Sequence, residues 1–354
     1  MKCGIIVLCA GLLGRYAYCS RETEIGIMKL LVIGKEGRLA RQSKPGRLDG
    51  KDIVYVTMDT PDEEIIARGK DADYILVDAI GRLTGNVIGE MKKLRMIHSE
   101  GVGYQGIDLQ AAAERGIYVC NCKGMNSSAV AEHEIMLMLS CLRSIVCGNR
   151  DVLAGRQIHR KEKYMLEGSL RELADCVIGI VGFGDIGREC ARLASAFGAE
   201  CVYYNRSAAP EELTYGARRM ELDEVLAVSD IVTINLPVTE ETKNIASTEF
   251  FGKMKEGAIL INAARGELVD SLALIEAMKT GRIAMAGLDC VAGEPVESDN
   301  PMINAPQEVL DRIIFSPHIA GITASSFRRG YEMFWQNIDR MEAGERPERI
   351  VNGL

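Results

Sequence analysis

Three residues in the second half of the chain have side chains that can do chemistry together. Arg265 lies in "NAARG", Glu294 in "GLDCVAGEP" and His318 in "SPHIAG". Arginine offers a permanently charged fork to carboxylates, and histidine exchanges protons near neutral pH. Singly, each has a structural explanation: a helix cap, a solvated acid or a loop histidine. All three residues come after a glycine fingerprint, and each follows a strand-like run. This order favours a shared ligand crevice at the ends of the strands.

The pattern G-x-G-x-x-G occurs twice, as "GVGYQG" (101–106) and "GFGDIG" (182–187), so local context must distinguish the copies. The second lies between a fully apolar strand pattern and a helix of about three turns, as in a dinucleotide-binding unit. A helix start of this kind can hold a pyrophosphate on its free N–H groups. We expect Gly182 to permit the turn, Gly184 to allow close approach and Gly187 to pack the helix.

The first copy follows Glu100 and precedes Asp108, so a pyrophosphate there would meet nearby carboxylates. Its amides can still bind a smaller anion such as a carboxylate. An ordinary strand-to-helix turn explains the pattern equally well.

A third stretch, "CVYYNRS", bears on the choice of cofactor. About 20 residues after a fingerprint, an acidic residue usually binds the ribose hydroxyls of NAD, whereas this chain has Asn205, Arg206 and Ser207. An arginine and a hydroxyl can donate hydrogen bonds to a 2′-phosphate. The pattern predicts NADP(H) in preference to NAD(H). Alternatively, Arg206 stacks on the adenine and NAD(H) is still used.

Two series of strand-like runs alternate with amphipathic stretches and indicate α/β structure. Five runs precede residue 125, and six follow Ala174, starting with "CVIGIVGFG". Between them, a long helix is predicted from Ser127 to about Cys147, and a last helix from about Ser325 to Ala343. The fold class predicted is α/β with two doubly wound parallel-sheet domains.

The sequence resembles the D-isomer-specific 2-hydroxyacid dehydrogenase family over nearly all of residues 28–354. The resemblance rests on "GFGDIG", "NAARGELVD", "SPHIAG", the "LD" of "GLDCVAGEP" and the "AVAEHEIMLML" helix. It implies a flavodoxin-like substrate-binding domain (28–124 plus 323–354) with an inserted NAD(P)-binding Rossmann domain (125–322). It also implies a homodimer through the helix around 127–147.

The resemblance implies roles for individual residues. Arg265 binds the substrate carboxylate and carbonyl, His318 is the general acid in reduction, and Glu294 is its partner. Gly101, Val102 and Gly103 supply amides to the carboxylate, whereas His133 is a helix-interface residue. The implied cofactor contacts are Gly182, Gly184, Asp185, Ile186, Gly187, Asn205, Arg206, Ser207, Leu236, Pro237, Ala263, Ala264, Arg265, Asp289, His318 and Gly321.

Departures from the family pattern narrow the substrate. Asp78 stands where phosphoglycerate dehydrogenases tend to carry arginine, and Ser99 with Glu100 replace another basic or small pair, so a phosphorylated substrate is disfavoured. Glu294 stands where formate dehydrogenases have glutamine, which favours a hydroxy acid. We expect reduction of a small 2-oxo acid of the glyoxylate, hydroxypyruvate or pyruvate class. Alternatives are phosphoglycerate dehydrogenase and a dinucleotide-sensing corepressor-like binding protein.

Composition limits the possible partners. The net charge of −8 without long like-charge blocks argues against nucleic-acid or membrane binding. Eleven scattered cysteines suit buried thiols in a reducing compartment, so a cytoplasmic location is expected. Cys120 and Cys122 lack a second ligand pair, and no metal site is predicted.

The N-terminal run "CGIIVLCAGLL" faintly resembles a signal peptide, but it lacks a convincing cleavage site and is too short to span a membrane. Residues 1–27 are expected to be an extension outside the core.

Overall fold

The computed structural model describes residues 27–354. Of the predicted N-terminal extension, all but Ile27 lies outside the described residues. Within residues 27–354, no helix combines the length and the apolar character needed to cross a bilayer.

The first sheet has five parallel strands in the order β2-β1-β3-β4-β5, which is the flavodoxin-like doubly wound order. Its elements are β1 (Lys29–Ile33), α1 (Arg38–Gln42), β2 (Asp52–Val56), α2 (Asp62–Gly69), β3 (Tyr74–Val77), α3 (Gly85–Glu90), β4 (Met96–Ser99), α4 (Leu109–Glu114) and β5 (Tyr118–Cys120). The central strands β3 and β4 are buried at every position, as helices on both faces require. Asp108, which flanks the first glycine loop, caps α4 by accepting a hydrogen bond from the Ala111 N–H.

Three helices link the two sheets: α5 (Ser127–Leu142), α6 (Ile145–Leu153) and α7 (Gln157–Glu167). The helix predicted to run to about Cys147 is shorter than expected. It ends at Leu142 because Ser144 takes a left-handed conformation with φ 45°, after which the chain starts α6 in a new direction.

The second sheet has seven parallel strands in the order β12-β11-β10-β9-β6-β7-β8. Its elements are β6 (Val177–Val181), α8 (Asp185–Ala196), β7 (Glu200–Tyr204), β8 (Arg218–Arg219), α9 (Leu222–Val228), β9 (Ile231–Ile234), α10 (Thr248–Lys253), β10 (Ala258–Asn262), α11 (Ser271–Lys279), β11 (Ile283–Leu288), α12 (Gln307–Leu310) and β12 (Ile313–Phe315). Strands β6 to β11 have the Rossmann order, and all six predicted strands are present. Strand β8 was not predicted because it consists of two exposed arginines.

The last helix, α13 (Ala324–Glu342), returns to the first sheet. Its residues Phe334 and Trp335 lie in one apolar cluster with Leu30 and Tyr74. The predicted fold class is confirmed: two parallel-sheet α/β units, the second inserted in the first. We retain as a proposal the division into 28–124 plus 323–354 and 125–322.

Candidate active site

Three neighbouring strands of the second sheet bring the predicted catalytic residues together. Arg265 follows β10, Glu294 follows β11 and His318 follows β12. Because these strands are parallel and adjacent, their carboxyl ends meet at one edge of the sheet. This is the edge where open α/β sheets bind ligands.

His318 and Glu294 form a direct hydrogen-bonded pair. The imidazole Nδ1 lies 2.6 Å from Glu294 Oε2, and the other carboxylate oxygen accepts the Val291 N–H at 2.9 Å. The His318 side chain is 44% exposed, and within residues 27–354 its Nε2 has no hydrogen-bond partner. A partly exposed imidazole held by a carboxylate on one nitrogen can exchange a proton with a ligand on the other.

Asp289 is completely buried and holds the loop that carries His318. Its carboxylate accepts hydrogen bonds from the Ser316 hydroxyl at 2.5 Å and from the N–H groups of Ile319 and Ala320 at 3.0 and 2.9 Å. His133 Nε2 lies 3.3 Å from the same carboxylate. Burial opposes ionisation of Asp289, but these hydrogen bonds outweigh it and hold the pKa of the carboxyl well below its ordinary value. Asp289 therefore holds the loop through three hydrogen bonds, from Ser316, Ile319 and Ala320.

Arg265 has no carboxylate partner in the described part of the chain. Its side chain is exposed, and Nη1 donates to the neighbouring Ala264 carbonyl at 2.6 Å. The next residue, Gly266, packs so closely that a Cβ there would lie 2.1 Å from the Val291 carbonyl carbon. The glycine thus fixes the Arg265 loop against the loop that carries Glu294.

The second glycine fingerprint fits a dinucleotide. Gly182 has φ 97°, and a Cβ there would lie 2.5 Å from the Asn235 carbonyl oxygen. A Cβ at Gly187 would lie 2.3 Å from the Gly182 carbonyl oxygen, whereas one at Gly184 would meet nothing within 4 Å. The first N–H groups of α8 are therefore open to a pyrophosphate on the Gly184 side.

The remaining predicted cofactor residues surround this turn. Ile186 packs in a small cluster with Val130, Ala263 and Ala320. Leu236 Cδ2 lies 2.9 Å from the Cβ that Gly182 lacks. Asp185 forms an ion pair with Arg188 at 2.5 Å, Pro237 is exposed, and the Ala264 N–H donates to Asn262 Oδ1 at 3.1 Å. A Cβ at Gly321 would lie 2.5 Å from Asn126 Nδ2. The two segments that connect the first unit with the second, around Asn126 and around Gly321, are therefore in close contact.

A second cation, which the sequence did not indicate, lies beside the end of β7. Asn205 Oδ1 accepts the Phe183 N–H at 3.3 Å, and its Nδ2 donates to the Ser207 carbonyl at 3.0 Å. Arg206 is exposed. Arg219, on β8, reaches over to donate from Nη2 to the Asn205 carbonyl at 3.2 Å. The Arg219 guanidinium, which also lies 3.8 Å from the Glu221 carboxylate, is therefore beside the position where acidic residues bind the ribose of NAD.

The first glycine loop is fixed by Ser99, a role that no sequence pattern indicated. The Ser99 hydroxyl donates to the Gly103 carbonyl at a short distance and accepts the Gly101 N–H at 3.3 Å. The N–H groups of Val102 and Gly103 have no acceptor within residues 27–354. These two amides can therefore receive a carboxylate.

A metal-site interpretation of the same region does not fit its chemistry. Ligand atoms of Cys290, Glu294 and His318 lie within 4.8 Å of one another. However, Glu294 and His318 already bond to each other, and burial raises the pKa of the Cys290 thiol to about 12. A thiol that stays protonated is a poor metal ligand. Cys120 and Cys122 are likewise buried, and burial raises the pKa of each to about 12.

Comparison with known proteins identifies the family. The family model of the D-isomer specific 2-hydroxyacid dehydrogenase NAD-binding domain matches residues 135–320. The chain belongs to the D-isomer-specific 2-hydroxyacid dehydrogenase family. Glyoxylate reductase of Pyrococcus furiosus is 36% identical over 82% of this chain and 86% of its own length. Hydroxypyruvate reductase of Thermotoga maritima is 34% identical over 75% of this chain and 84% of its own length.

A third relative of this 2-hydroxyacid dehydrogenase is a D-3-phosphoglycerate dehydrogenase from Archaeoglobus fulgidus, 37% identical over 82% of this chain and 53% of its own length. Among solved structures, D-2-hydroxyisocaproate dehydrogenase superposes with a TM-score of 0.79 at 25% identity, covering 92% of this chain and all of that one. The expected family is confirmed, and so is a nicotinamide dinucleotide as the class of cofactor.

Proposed function

We propose that this dehydrogenase transfers a hydride between NAD(P)H and a small unphosphorylated 2-oxo acid, giving the D-2-hydroxy acid. The observation that carries the proposal is the His318–Glu294 pair at 2.6 Å, at the ligand edge of a Rossmann sheet where Arg265 has no carboxylate partner among residues 27–354. Glyoxylate, hydroxypyruvate and pyruvate are the substrate class that we propose.

Each residue has a separate role in the proposed reduction. Arg265 binds the substrate carboxylate and polarises the 2-oxo group, and its planar fork suits this contact. The carboxylate also receives the N–H groups of Val102 and Gly103. His318 donates a proton from Nε2 to the carbonyl oxygen, while Glu294 on Nδ1 orients the ring and stabilises its protonated form. The bound nicotinamide supplies the hydride.

For the cofactor, we propose a preference for NADP(H) over NAD(H). A 2′-phosphate on the ribose would lie beside Arg206, Ser207 and Arg219 and meet no carboxylate at position 205. Charge-assisted hydrogen bonds of this kind contribute about 1.5–3 kcal/mol each. The same phosphate would be repelled by an acidic residue there, as in NAD-dependent Rossmann units.

We propose that the protein forms a homodimer. We place its contact surface on α6 and α7 rather than on the helix predicted around 127–147. Helix α5 is mostly buried inside the chain. Large apolar side chains are exposed instead on α6 and α7, among them Leu153, Met165 and Leu166. An apolar patch on a soluble chain marks an interaction surface.

A substrate panel tests the proposed function. Glyoxylate, hydroxypyruvate, pyruvate and 3-phosphohydroxypyruvate are each assayed with NADPH and NADH, and the product is checked for D configuration. We expect reduction of the unphosphorylated acids with a higher kcat/KM. A higher kcat/KM for the phosphorylated acid would favour a phosphoglycerate dehydrogenase. Tight dinucleotide binding without reduction of any acid would favour a corepressor-like binding protein.

A further inference from the structure

A partly buried group of charges lies beside the first glycine loop, at the carboxyl ends of β3 and β4. Arg38, at the start of α1, donates from Nη1 to Asp78 Oδ2 at 3.1 Å and to Glu100 Oε2 at 2.8 Å. The second oxygen of Glu100 accepts a short hydrogen bond from the Tyr331 hydroxyl. The ring of Phe327 lies 5.9 Å below the guanidinium. These five residues form the Arg38 cluster.

Two members of the Arg38 cluster adjoin the proposed carboxylate-binding loop along the chain. Glu100 directly precedes Gly101, and Asp78 directly precedes Ala79. A Cβ at Gly101 would lie 2.7 Å from the Ala79 Cβ, and one at Gly103 would lie 2.9 Å from the Ala79 carbonyl oxygen. A substrate whose carboxylate is bound at this loop would therefore lie beside the ends of β3 and β4.

The charge of this wall is negative although it contains an arginine. Two carboxylates share one guanidinium, and both carboxylates are more buried than Arg38: 14% and 7% exposed against 30%. Burial raises the pKa of Glu100, while its hydrogen bonds to Tyr331 and Arg38 oppose that rise. A second anionic group on a substrate would meet an arginine that is already neutralised and two carboxylates that repel it.

Resting on the proposed function, we propose that Asp78 and Glu100 determine specificity by occupying Arg38, so that the pocket accepts 2-oxo acids with one negative charge. The exclusion extends beyond phosphate esters to 2-oxo dicarboxylates, because either second anion would face the same two carboxylates. Arg38 is then a latent anion-binding residue. Removing its two partners should release it for a second anionic group.

The test is a gain of function that depends on Arg38. In the double variant Asp78→Asn with Glu100→Gln, we expect kcat/KM for oxaloacetate and 3-phosphohydroxypyruvate, relative to hydroxypyruvate, to rise about 10- to 100-fold, the worth of one charge-assisted hydrogen bond. Adding Arg38→Met should abolish that gain. Glutamine at 100 keeps an acceptor for Tyr331. Asp71→Asn, which removes a carboxylate paired with Lys29 at the opposite edge of the sheet, is the matched control.

A binding measurement makes the result independent of turnover. Malonate and acetate are titrated calorimetrically into the wild type, the double variant and the triple variant. We expect the double variant alone to gain affinity for malonate over acetate. An unchanged ratio of dianion to monoanion in both the kinetic and the binding experiments would overturn the inference. A wild type that reduces no 2-oxo acid would overturn the proposed function instead, and the malonate titration would still decide the role of Arg38.

Discussion

His318 has a backbone conformation that few side chains adopt, and hydrogen bonds behind it hold it there. Its φ is 54°, in the left-handed region. Its N–H donates to the Asp289 carbonyl at 2.9 Å, and the Asp289 carboxylate accepts the next two N–H groups. A buried acid therefore holds the loop that presents the imidazole.

Replacing His318 by alanine tests its role as the general acid. We expect kcat to fall roughly 10²- to 10⁴-fold, the usual contribution of a positioned acid or base. Affinity for the reduced dinucleotide should be kept, as measured by fluorescence titration. Near wild-type turnover would rule out His318 as the proton donor.

Arg265→Lys keeps the positive charge but removes the planar guanidinium group. We expect a large loss of kcat/KM on the best 2-oxo acid, since lysine cannot make the two-pronged contact to a carboxylate. Steady-state kinetics measures it, and Arg282→Lys, on a loop remote from the cleft with its guanidinium on the Met254 carbonyl, is the control. Equal effects of the two substitutions would mean that Arg265 has a structural role.

Cofactor preference depends on what stands at position 205. Asn205→Asp should move the ratio of kcat/KM for NADPH and NADH toward NADH, because the new carboxylate binds ribose hydroxyls and repels a 2′-phosphate. Arg219→Met should weaken NADPH more than NADH if its guanidinium lies beside that phosphate. A wild type that already prefers NADH would contradict the proposal.

The sequence predicted the trio of Arg265, Glu294 and His318 because each comes after a recognisable apolar strand, and the loops after adjacent parallel strands meet at one edge of the sheet. It could not predict Arg38, whose carboxylate partners lie 40 and 62 residues away along the chain. Nor could it predict Arg219, since a strand of two arginines has no apolar pattern to reveal it. Contacts across a sheet depend on strand order, which a local pattern does not contain.

Helix α5 buries a carboxyl group against the cofactor-binding sheet. Glu134 is 0% exposed, and Asn235 Nδ2 lies 3.5 Å from its Oε2, whereas Oε1 has no partner in the described residues. Burial raises the pKa of Glu134 from an ordinary value of 4.5 to about 7, although interactions with Cys190, Thr233 and Asn235 lower it in part. The buried position of Glu134 on α5 therefore favours the protonated form of its carboxyl group.

This burial predicts how stability changes with pH. Because the folded pKa lies above the unfolded one, folding takes up a proton, and the contribution of Glu134 to stability is lost as the pH rises from 4.5 to about 7. Glu134→Gln should remove that loss, so its Tm relative to the wild type should rise across this interval and level off above it. Glu132→Gln, exposed on the same helix, is the control. A Tm difference that does not change with pH would contradict the assignment.

The end of α5 shows where helix prediction fails. Apolar residues continue past Leu142 in "CLRSIVC", so the pattern does not contain the break that Ser144 makes. Helix α7 has no buried residue, and the Arg160–Asp151 ion pair joins it to α6, so no buried apolar stripe marks it in the sequence. Both features become explicable if α6 and α7 face a second copy of the chain.

On the scale of the whole molecule, two exposed leucines favour assembly into a dimer. Leu153 on α6 and Leu166 on α7 are 81% and 90% exposed, which leaves large apolar side chains in water unless another chain covers them. Light scattering after gel filtration should give the wild type twice the mass of one chain. The double variant Leu153→Glu with Leu166→Glu should give a single-chain mass, because a dimer would bury two unpaired carboxylates per subunit. Leu272→Glu, at an exposed leucine on α11, should leave the dimer intact. A monomeric wild type, or a double variant that stays dimeric, would exclude the α6–α7 surface, whereas the catalytic proposals, which use residues of one chain only, would stand.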